Sequence, residues 1–149
     1  MAEYSKILAA VDLSDESFAI VKRAVQVAGA GTEIHLVFVQ EPMDSVYLGV
    51  VPYGPVFVGL EEVEEKLKRE LKDRMRELGE KFGVPESRQH LLNGNPAPEI
   101  RRFAEDNDVD LVALGTHGQK GVQLLLGSTA NSVLHGVTCD VLAVRIQDS

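Results

Sequence analysis

The chain has no tryptophan, a single cysteine and no long apolar run, and each shortage excludes a class of protein. One cysteine, Cys139, cannot form a disulfide within the chain, which excludes a small secreted domain held together by disulfides. The two longest stretches without Asp, Glu, Lys or Arg, residues 45–60 and 121–139, contain proline, glycine and polar residues, so neither is expected to cross a membrane as an apolar helix. The amino terminus also lacks the basic and apolar segments of a secretory signal. We therefore expect a cytoplasmic protein.

Basic residues are fewer than acidic ones. The chain has 15 Lys and Arg against 23 Asp and Glu, which gives a formal net charge of −8. Such a surface repels phosphate backbones, so we expect no general binding of nucleic acid. A small anionic ligand remains possible, because backbone N–H groups hold an anion locally whatever the overall charge. The 149 residues fit one domain, 1–149, which is long enough to bury a core.

Apolar runs alternate with amphipathic segments along the chain. Five apolar runs are typical of strands that are buried on both faces: 6–11, 34–39, 89–92, 109–114 and 140–146. Segments with the apolar spacing of helices lie between them: 14–28, 61–82, 96–104 and 128–135. This alternation predicts an α/β fold, a doubly wound five-stranded parallel sheet with helices on both faces. Ser14 is the expected N-cap of the first helix.

The topology also predicts where a ligand binds. In a doubly wound sheet, ligands bind at the carboxyl ends of the strands, at the point where the strand order reverses. With the order 3-2-1-4-5, this switch point lies between the first and fourth strands. Val11-Asp12-Leu13 follows the first strand, and a glycine-rich run begins at Gly115 after the fourth. We expect these two segments to meet at the ligand site.

The glycine-rich run reads Gly115-Thr-His-Gly118-Gln-Lys-Gly121-Val-Gln-Leu-Leu-Leu-Gly127-Ser128-Thr129. Glycines let the backbone turn tightly and approach a bound group. The helix after Gly127 offers unpaired N–H groups and the positive end of its dipole, and the hydroxyls of Ser128 and Thr129 add donors. The run predicts an anion site. The alternative is that Gly115 only ends a strand and that Gly127-Ser128 only caps a helix.

Several segments resemble the universal stress protein family, and the resemblance covers nearly the whole chain. They are Val11-Asp12-Leu13-Ser14, Gly94-Asn95-Pro96, Val109-Asp110-Leu111, the glycine-rich run and the closing segment Cys139-Asp140-Val141-Leu142-Ala143-Val144. The most specific element is Gly-x-x-Gly, a spacer, and then Gly-Ser/Thr, which marks the ATP-binding branch of the family. Gly115, Gly118, Gly127 and Ser128 match it. The spacer has eight residues, one fewer than is usual. The other branch lacks the glycines and does not bind ATP.

The resemblance implies an ATP site, with Mg²⁺, at the predicted switch point. In the ATP-binding branch, the residue matching Asp12 accepts hydrogen bonds from ribose hydroxyls, and the backbone matching Val39 contacts adenine. Candidate walls of the adenine slot are Ala10, Leu13, Val39 and Leu114. His117 either contacts a phosphate or is an exposed loop residue.

Three functions fit the sequence. The favoured one is an ATP-binding regulatory module of the stress response with little or slow hydrolysis. The others are a nucleotide-free dimeric stress protein that acts through protein interactions, and a weak ATPase. We expect no catalytic residue, because the glycine-rich run has neither a P-loop lysine nor an arginine that would clamp the phosphates.

Two further expectations concern metals and partners. His35, His90 and His135 are scattered along the sequence and do not have the spacing of a metal site. The last strand, 140–146, is an apolar sheet edge with little chain after it, which predicts a homodimer that pairs through this strand.

Overall fold

The structure is a computed structural model that describes residues 3–41, 56–116 and 128–146. The strands are β1 (Lys6–Ala10), β2 (Glu33–Gln40), β3 (Gln89–Asn93), β4 (Leu111–Gly115) and β5 (Asp140–Val144). The helices are α1 (Ser17–Val27), α2 (Val56–Phe82), α3 (Pro96–Asp106) and α4 (Ser128–Gly136). A 3-10 turn, Glu86–Arg88, leads into β3. None of the described helices combines the length and the apolar character needed to span a membrane.

The five strands form one parallel sheet with the order β3-β2-β1-β4-β5, which confirms the predicted fold and strand order. β1 lies at the centre, where Ile7 is opposite Ile34 of β2 and Leu111 of β4. Ile7, Leu8 and Ala9 have no exposed surface. A strand covered on both faces needs apolar side chains in both directions, which is why β1 is a continuous apolar run rather than an alternating one.

Each face of the sheet carries its own core. α1 and α2 cover one face, where the buried side chains are Ile7, Ala9, Val11, Leu13, Ile20, Val21, Ala24, Leu36, Met75, Leu78, Val84, Leu111, Ala113, Val144 and Ile146. α3 and α4 cover the other face, where the buried side chains are Leu8, Val37, Val39, Ile100, Ala104, Val109, Val112, Leu114, Ala130 and Val133. The two cores are called the α1–α2 core and the α3–α4 core below.

The first helix begins later than the sequence predicts, and the expectation that Ser14 caps it is wrong. α1 begins at Ser17, its N-cap position is Glu16, and no side chain caps it. The hydroxyl of Ser14 donates instead to the carboxylate of Asp12. A serine placed two residues after an aspartate has this competing acceptor, and the turn that results moves the N-cap position from residue 14 to residue 16.

The C-terminal part of α2 packs tightly against the segment that follows it. A Cβ atom added to Gly79 would lie 2.1 Å from Nε2 of Gln89 and 2.7 Å from the carbonyl oxygen of Val84. The same Gln89 amide donates to the Val84 carbonyl over 2.9 Å, and the Val84 N–H donates to the Gly79 carbonyl over 2.8 Å. Gly79 therefore lies at a close approach between the helix and the entry to β3.

We expect Gly79→Ala to destabilise the fold, although alanine is the better helix former. The added methyl group has no room beside the Val84 carbonyl, and overpacking of this kind costs about 1–3 kcal/mol. Gly31→Ala is the control, since nothing lies within 4 Å of a Cβ at that position and its stability should change little. Urea unfolding measures both variants, and equal stability of the two would contradict the close approach at Gly79.

Candidate functional site

The two central strands part at their carboxyl ends. The register between β1 and β4 ends at Ala9 opposite Ala113. The register between β1 and β2 continues to Ala10 opposite Val37, and the N–H of Val11 donates to the Val37 carbonyl over 2.9 Å. At its carboxyl end, β1 therefore remains hydrogen-bonded to β2 but no longer pairs with β4.

The end of β4 stays with β5 in the same way. Gly115 is opposite Val144, the Thr116 N–H donates to the Val144 carbonyl over 3.0 Å, and the Ile146 N–H donates to Oγ1 of Thr116 over 3.3 Å. Beyond Ala9 and Ala113 the backbones of β1 and β4 are no longer paired, and the space between the two strand ends is called the crevice below. This is the switch point that the topology predicts.

The carboxylate of Asp12 organises the turn that leaves β1. Its Oδ1 accepts hydrogen bonds from the Ser14 N–H over 3.0 Å, from the Ser14 hydroxyl over 2.5 Å and from the Ser17 hydroxyl over 3.0 Å. Ser17 is only 1% exposed, so its hydroxyl depends on this acceptor. Asp12 itself is half-buried at the edge of the crevice.

Leu13 follows Asp12 with a φ of 62°, in the left-handed region that residues with a Cβ rarely adopt. Its side chain is 6% exposed and belongs to the α1–α2 core. Burial of the side chain and the hydrogen bonds of the Asp12 turn hold the residue in this conformation. Such strain at a strand end is often found at functional sites.

Three of the four candidate walls come together on one face of the sheet. Val39 and Leu114 belong to the α3–α4 core, and Ala10 packs against that core. Leu13 lies in the α1–α2 core, on the opposite face. The structure thus groups Ala10, Val39 and Leu114 and separates Leu13 from them.

Part of the predicted phosphate segment lies outside the described residues, namely His117, Gly118, Gly127 and the side chain of Ser128. The described flanks are Thr116 after β4 and the start of α4, where Ser128 is the first helical residue and Thr129 is half-buried in the first turn. Gly115 is the last residue of β4.

Sequence reasoning missed two features of the structure. The first is Ser17, which completes the Asp12 turn; the spacing Asp-x-Ser-x-x-Ser was the available signal. The second is the contact between His35 and His90, whose ring nitrogens lie 3.0 Å apart. Among the described residues, no three His, Cys, Asp or Glu side chains are arranged to hold a metal ion.

Cys139 is half-buried and immediately precedes β5. Burial, together with the nearby carboxylates of Asp140 and Asp110, raises the pKa of its thiol. A raised pKa keeps the sulfur protonated and unreactive at neutral pH. The thiol is accordingly suited to packing rather than to nucleophilic chemistry.

Comparison with known proteins identifies relatives over the whole fold. The model of the universal stress protein family matches residues 3–145. Universal stress protein A homolog 1 of Coxiella burnetii is 39% identical, over 97% of this chain and 99% of that protein. The solved structure of hypothetical protein MJ0577 superposes with a TM-score of 0.79 at 25% identity and covers 99% of this chain and all of that one. A universal stress protein in complex with cAMP has a TM-score of 0.59 at 24% identity, over 96% of this chain and 98% of that one.

We expect removal of the acceptor at position 12 to cost more stability than removal of one of its donors. Asp12→Ala leaves the buried Ser17 hydroxyl without a partner and should lower the free energy of unfolding by about 2–3 kcal/mol. Ser17→Ala removes only one donor, leaves Asp12 bonded to Ser14, and should cost about 1 kcal/mol or less. Urea unfolding compares the two variants. A larger loss in Ser17→Ala would contradict the role of Asp12 as the centre of the turn.

Proposed function

This chain belongs to the universal stress protein family, and from that premise we propose that it is an ATP-binding regulatory module of the stress response, with Mg²⁺ bound alongside the nucleotide and little or slow hydrolysis. The observation that carries the proposal is the end of pairing between β1 and β4, beyond which β1 remains bonded to β2 and β4 remains bonded to β5.

The geometry of Asp12 supports a role in binding ribose. Among the described residues, the hydrogen bonds to its carboxylate all fall on Oδ1, which fixes the plane of the group at the edge of the crevice. The proposal assigns Oδ2 to the ribose hydroxyls. A carboxylate already fixed by the protein loses little side-chain freedom when it accepts them.

The surroundings of the crevice suit an adenine base. Ala10, Val39 and Leu114 form an apolar group beside it, and base pockets are mainly apolar with a few polar contacts. The universal stress protein crystallised with cAMP binds a ligand that joins adenosine to a phosphate. We propose the same ligand chemistry here, with the backbone at Val39 contacting the base.

The glycine-rich run supplies the phosphate part of the proposed site. It leaves β4 at Gly115 and ends at the first turn of α4, where the helix N-terminus directs backbone N–H groups outward. In the proposal, Gly118, Gly127, Ser128 and Thr129 hold the phosphates, and His117 lies beside them. These donors are neutral. Without a fixed cationic clamp, the site favours retention of ATP over its hydrolysis.

A nucleotide-binding site of this kind should stabilise the protein. ATP with Mg²⁺ should raise the melting temperature by several degrees, because a ligand at about 100 times its Kd adds about 2.7 kcal/mol to the folded state. Differential scanning fluorimetry on protein stripped of bound nucleotide measures the shift. No shift at millimolar ATP would refute the proposed function.

The phosphate segment can be tested by a matched pair of variants. Gly127→Val places a branched side chain where the phosphates approach, and we expect it to abolish the thermal shift while the protein stays folded. Gly31→Val is the control, because nothing lies within 4 Å of a Cβ there and it is remote from the crevice; its shift should equal that of the wild type. An unchanged shift in Gly127→Val would place the nucleotide elsewhere.

We further propose that the protein is a homodimer through the outer edge of β5, the last strand of the described sheet. The strand ends at Val144 rather than at the expected Ile146, and both of these side chains are buried in the α1–α2 core. The side chains of Val144 and Ile146 are therefore not available to contact a partner chain at this edge. The Asp140 N–H and the Val144 carbonyl bond towards β4. In a parallel ladder alternate residues face alternate sides, so the N–H and carbonyl groups of Val141, Ala143 and Arg145 face outward.

Ala143→Pro should therefore give monomers that remain folded. Proline removes an outward N–H without removing a donor to β4, and edge strands tolerate it. Ala143→Val is the control, since it retains the N–H and should remain dimeric. Light scattering with circular dichroism gives mass and fold together. A folded Ala143→Pro dimer, or a wild-type monomer at micromolar concentration, would contradict pairing through β5.

A further inference from the structure

A hydrogen-bonded chain of three titratable side chains crosses the sheet between β2 and β3, away from the switch point. Nε2 of His35 lies 2.7 Å from Oε1 of Glu33, and Nδ1 of His35 lies 3.0 Å from Nε2 of His90. The two imidazole rings are stacked, with centroids 5.2 Å apart and planes inclined by 11°. His35 is 8% exposed, so this is one of the few polar side chains buried among the described residues.

The sheet register brings the histidines together. His90 is opposite Val37 in the parallel pairing of β2 with β3, and His35 precedes Val37 by two residues on the same face. Phe103 of α3 covers both rings, with its centroid 4.5 Å from that of His90 and 6.4 Å from that of His35. The pair therefore forms part of the sheet surface against which α3 packs.

The partners determine where the ring protons lie. The hydrogen bond from His35 lowers the pKa of Glu33, so this carboxylate is ionised at neutral pH and can only accept. Nε2 of His35 therefore carries a proton. When both rings are neutral, Nδ1 of His35 accepts and Nε2 of His90 donates, so both imidazoles are Nε2–H tautomers in a chain that ends at Glu33.

This chain can take up one further proton but not two. With one further proton, one N–H still lies between the two rings and every hydrogen bond stays in place, whichever ring carries the charge. With two, an N–H of each ring would face the other across 3.0 Å and the bond between the rings would be lost. An unfolded chain has no such restriction and binds a proton on each histidine.

The surrounding charges do not compensate for a proton on His90. Lys6 of β1 and Arg88, just before β3, act on Glu33 and add positive charge at that end of the chain. On α3, the side that faces the rings is the aromatic ring of Phe103. Burial, and then the neighbouring His35, lower the pKa of His90 below its ordinary value of 6.5.

We propose that the His35–His90 pair is an acid-sensitive contact that fastens α3 to the sheet and loosens when the surrounding pH falls below about 6.5. When both rings are charged, their opposed N–H groups lose the hydrogen bond and the like charges repel, so the rings separate beneath Phe103. The inference does not rest on the proposed nucleotide site, since neither histidine is among the residues assigned to that site.

The sign of the pH dependence follows from proton linkage. The pKa of His90 is lower in the folded protein than in the unfolded chain, so the folded state binds fewer protons below pH 6.5. Stability from this group is complete above that pH, falls as the pH decreases, and stops falling below the folded pKa. The stability that comes from Glu33 is complete above the ordinary pKa of 4.5 and begins to fall only below it, so its effect is separate from that of His90.

The tautomers can be tested in the wild-type protein. Long-range ¹H–¹⁵N NMR at about pH 7.5 should show a proton on Nε2 of His35 and one proton between Nδ1 of His35 and Nε2 of His90, and acidification should add a second proton between these two nitrogens. A neutral His35 with its proton on Nδ1, or a single proton between the rings that persists at about pH 5.5, would overturn the proposal. This measurement needs no variant and is unaffected by any effect on folding.

The contact itself can be tested with His90→Gln. The glutamine amide still donates to Nδ1 of His35 but does not titrate. For each proton that the unfolded state binds in excess, the unfolding equilibrium constant changes about tenfold per pH unit, and His90→Gln should lose this contribution between about pH 6.5 and 5.5. His135→Gln, on an exposed face of α4, is the control and should retain the wild-type dependence.

Hydrogen exchange locates the effect. At about pH 5.5 the amides of α3 should exchange faster in the wild type than in His90→Gln, and comparison at one pH cancels the intrinsic exchange rates. Equal exchange of α3 in the two proteins, or a pH dependence of stability that is the same in His90→Gln as in the wild type, would refute the acid-sensitive contact.

Discussion

The carboxylate of Asp12 accepts hydrogen bonds from the backbone and hydroxyl of Ser14 and from the hydroxyl of Ser17, and the path of the chain out of β1 depends on these bonds. β1 is buried on both faces, so the chain must turn away immediately where the strand ends. A buried turn needs an internal acceptor for its donors, and Asp12 is that acceptor. The start of α1, the strained backbone at Leu13 and the edge of the crevice all follow from this turn.

The molecule separates its polar chemistry into distinct regions of one sheet. The carboxyl ends of β1 and β4 carry the crevice, the β2–β3 side carries the histidine pair under α3, and β5 offers backbone groups at the opposite edge. Thr116 connects two of these regions, because its N–H and its hydroxyl both bond to the β5 side of the sheet. The entry to the glycine-rich run is thereby held by the strand that forms the edge of the described sheet.

The parallel sheet and its order could be predicted from the sequence because each strand is a short apolar run, and strands buried on both faces admit few other residues. The location of the switch point then followed from topology alone. Local hydrogen bonding was harder to predict. Ser14 fits both an N-cap and a turn after aspartate, and only the position of the Asp12 carboxylate decides between them.

Long-range contacts were beyond the reach of the sequence for a different reason. His35 and His90 are 55 residues apart, and their contact depends on the register of β2 against β3. Nothing in the local pattern of either strand fixes that register to a single residue. The exposure of helical side chains could not be predicted from their spacing either. Val63 lies on the apolar stripe of α2 but is 45% exposed, because packing rather than spacing decides burial.

Leu13 and Val11 are almost equally buried in the same core, at 6% and 7% exposure, yet they should not evolve alike. Drift among leucine, isoleucine and valine is usually tolerated inside a core. At Leu13 the φ of 62° bars both β-branched residues, whose second γ-substituent collides with the backbone in that conformation. Among descendants of this chain, position 13 would therefore keep residues that are not branched at Cβ, while position 11 could exchange among leucine, isoleucine and valine. The restriction at position 13 would come from the backbone conformation rather than from the volume of the core.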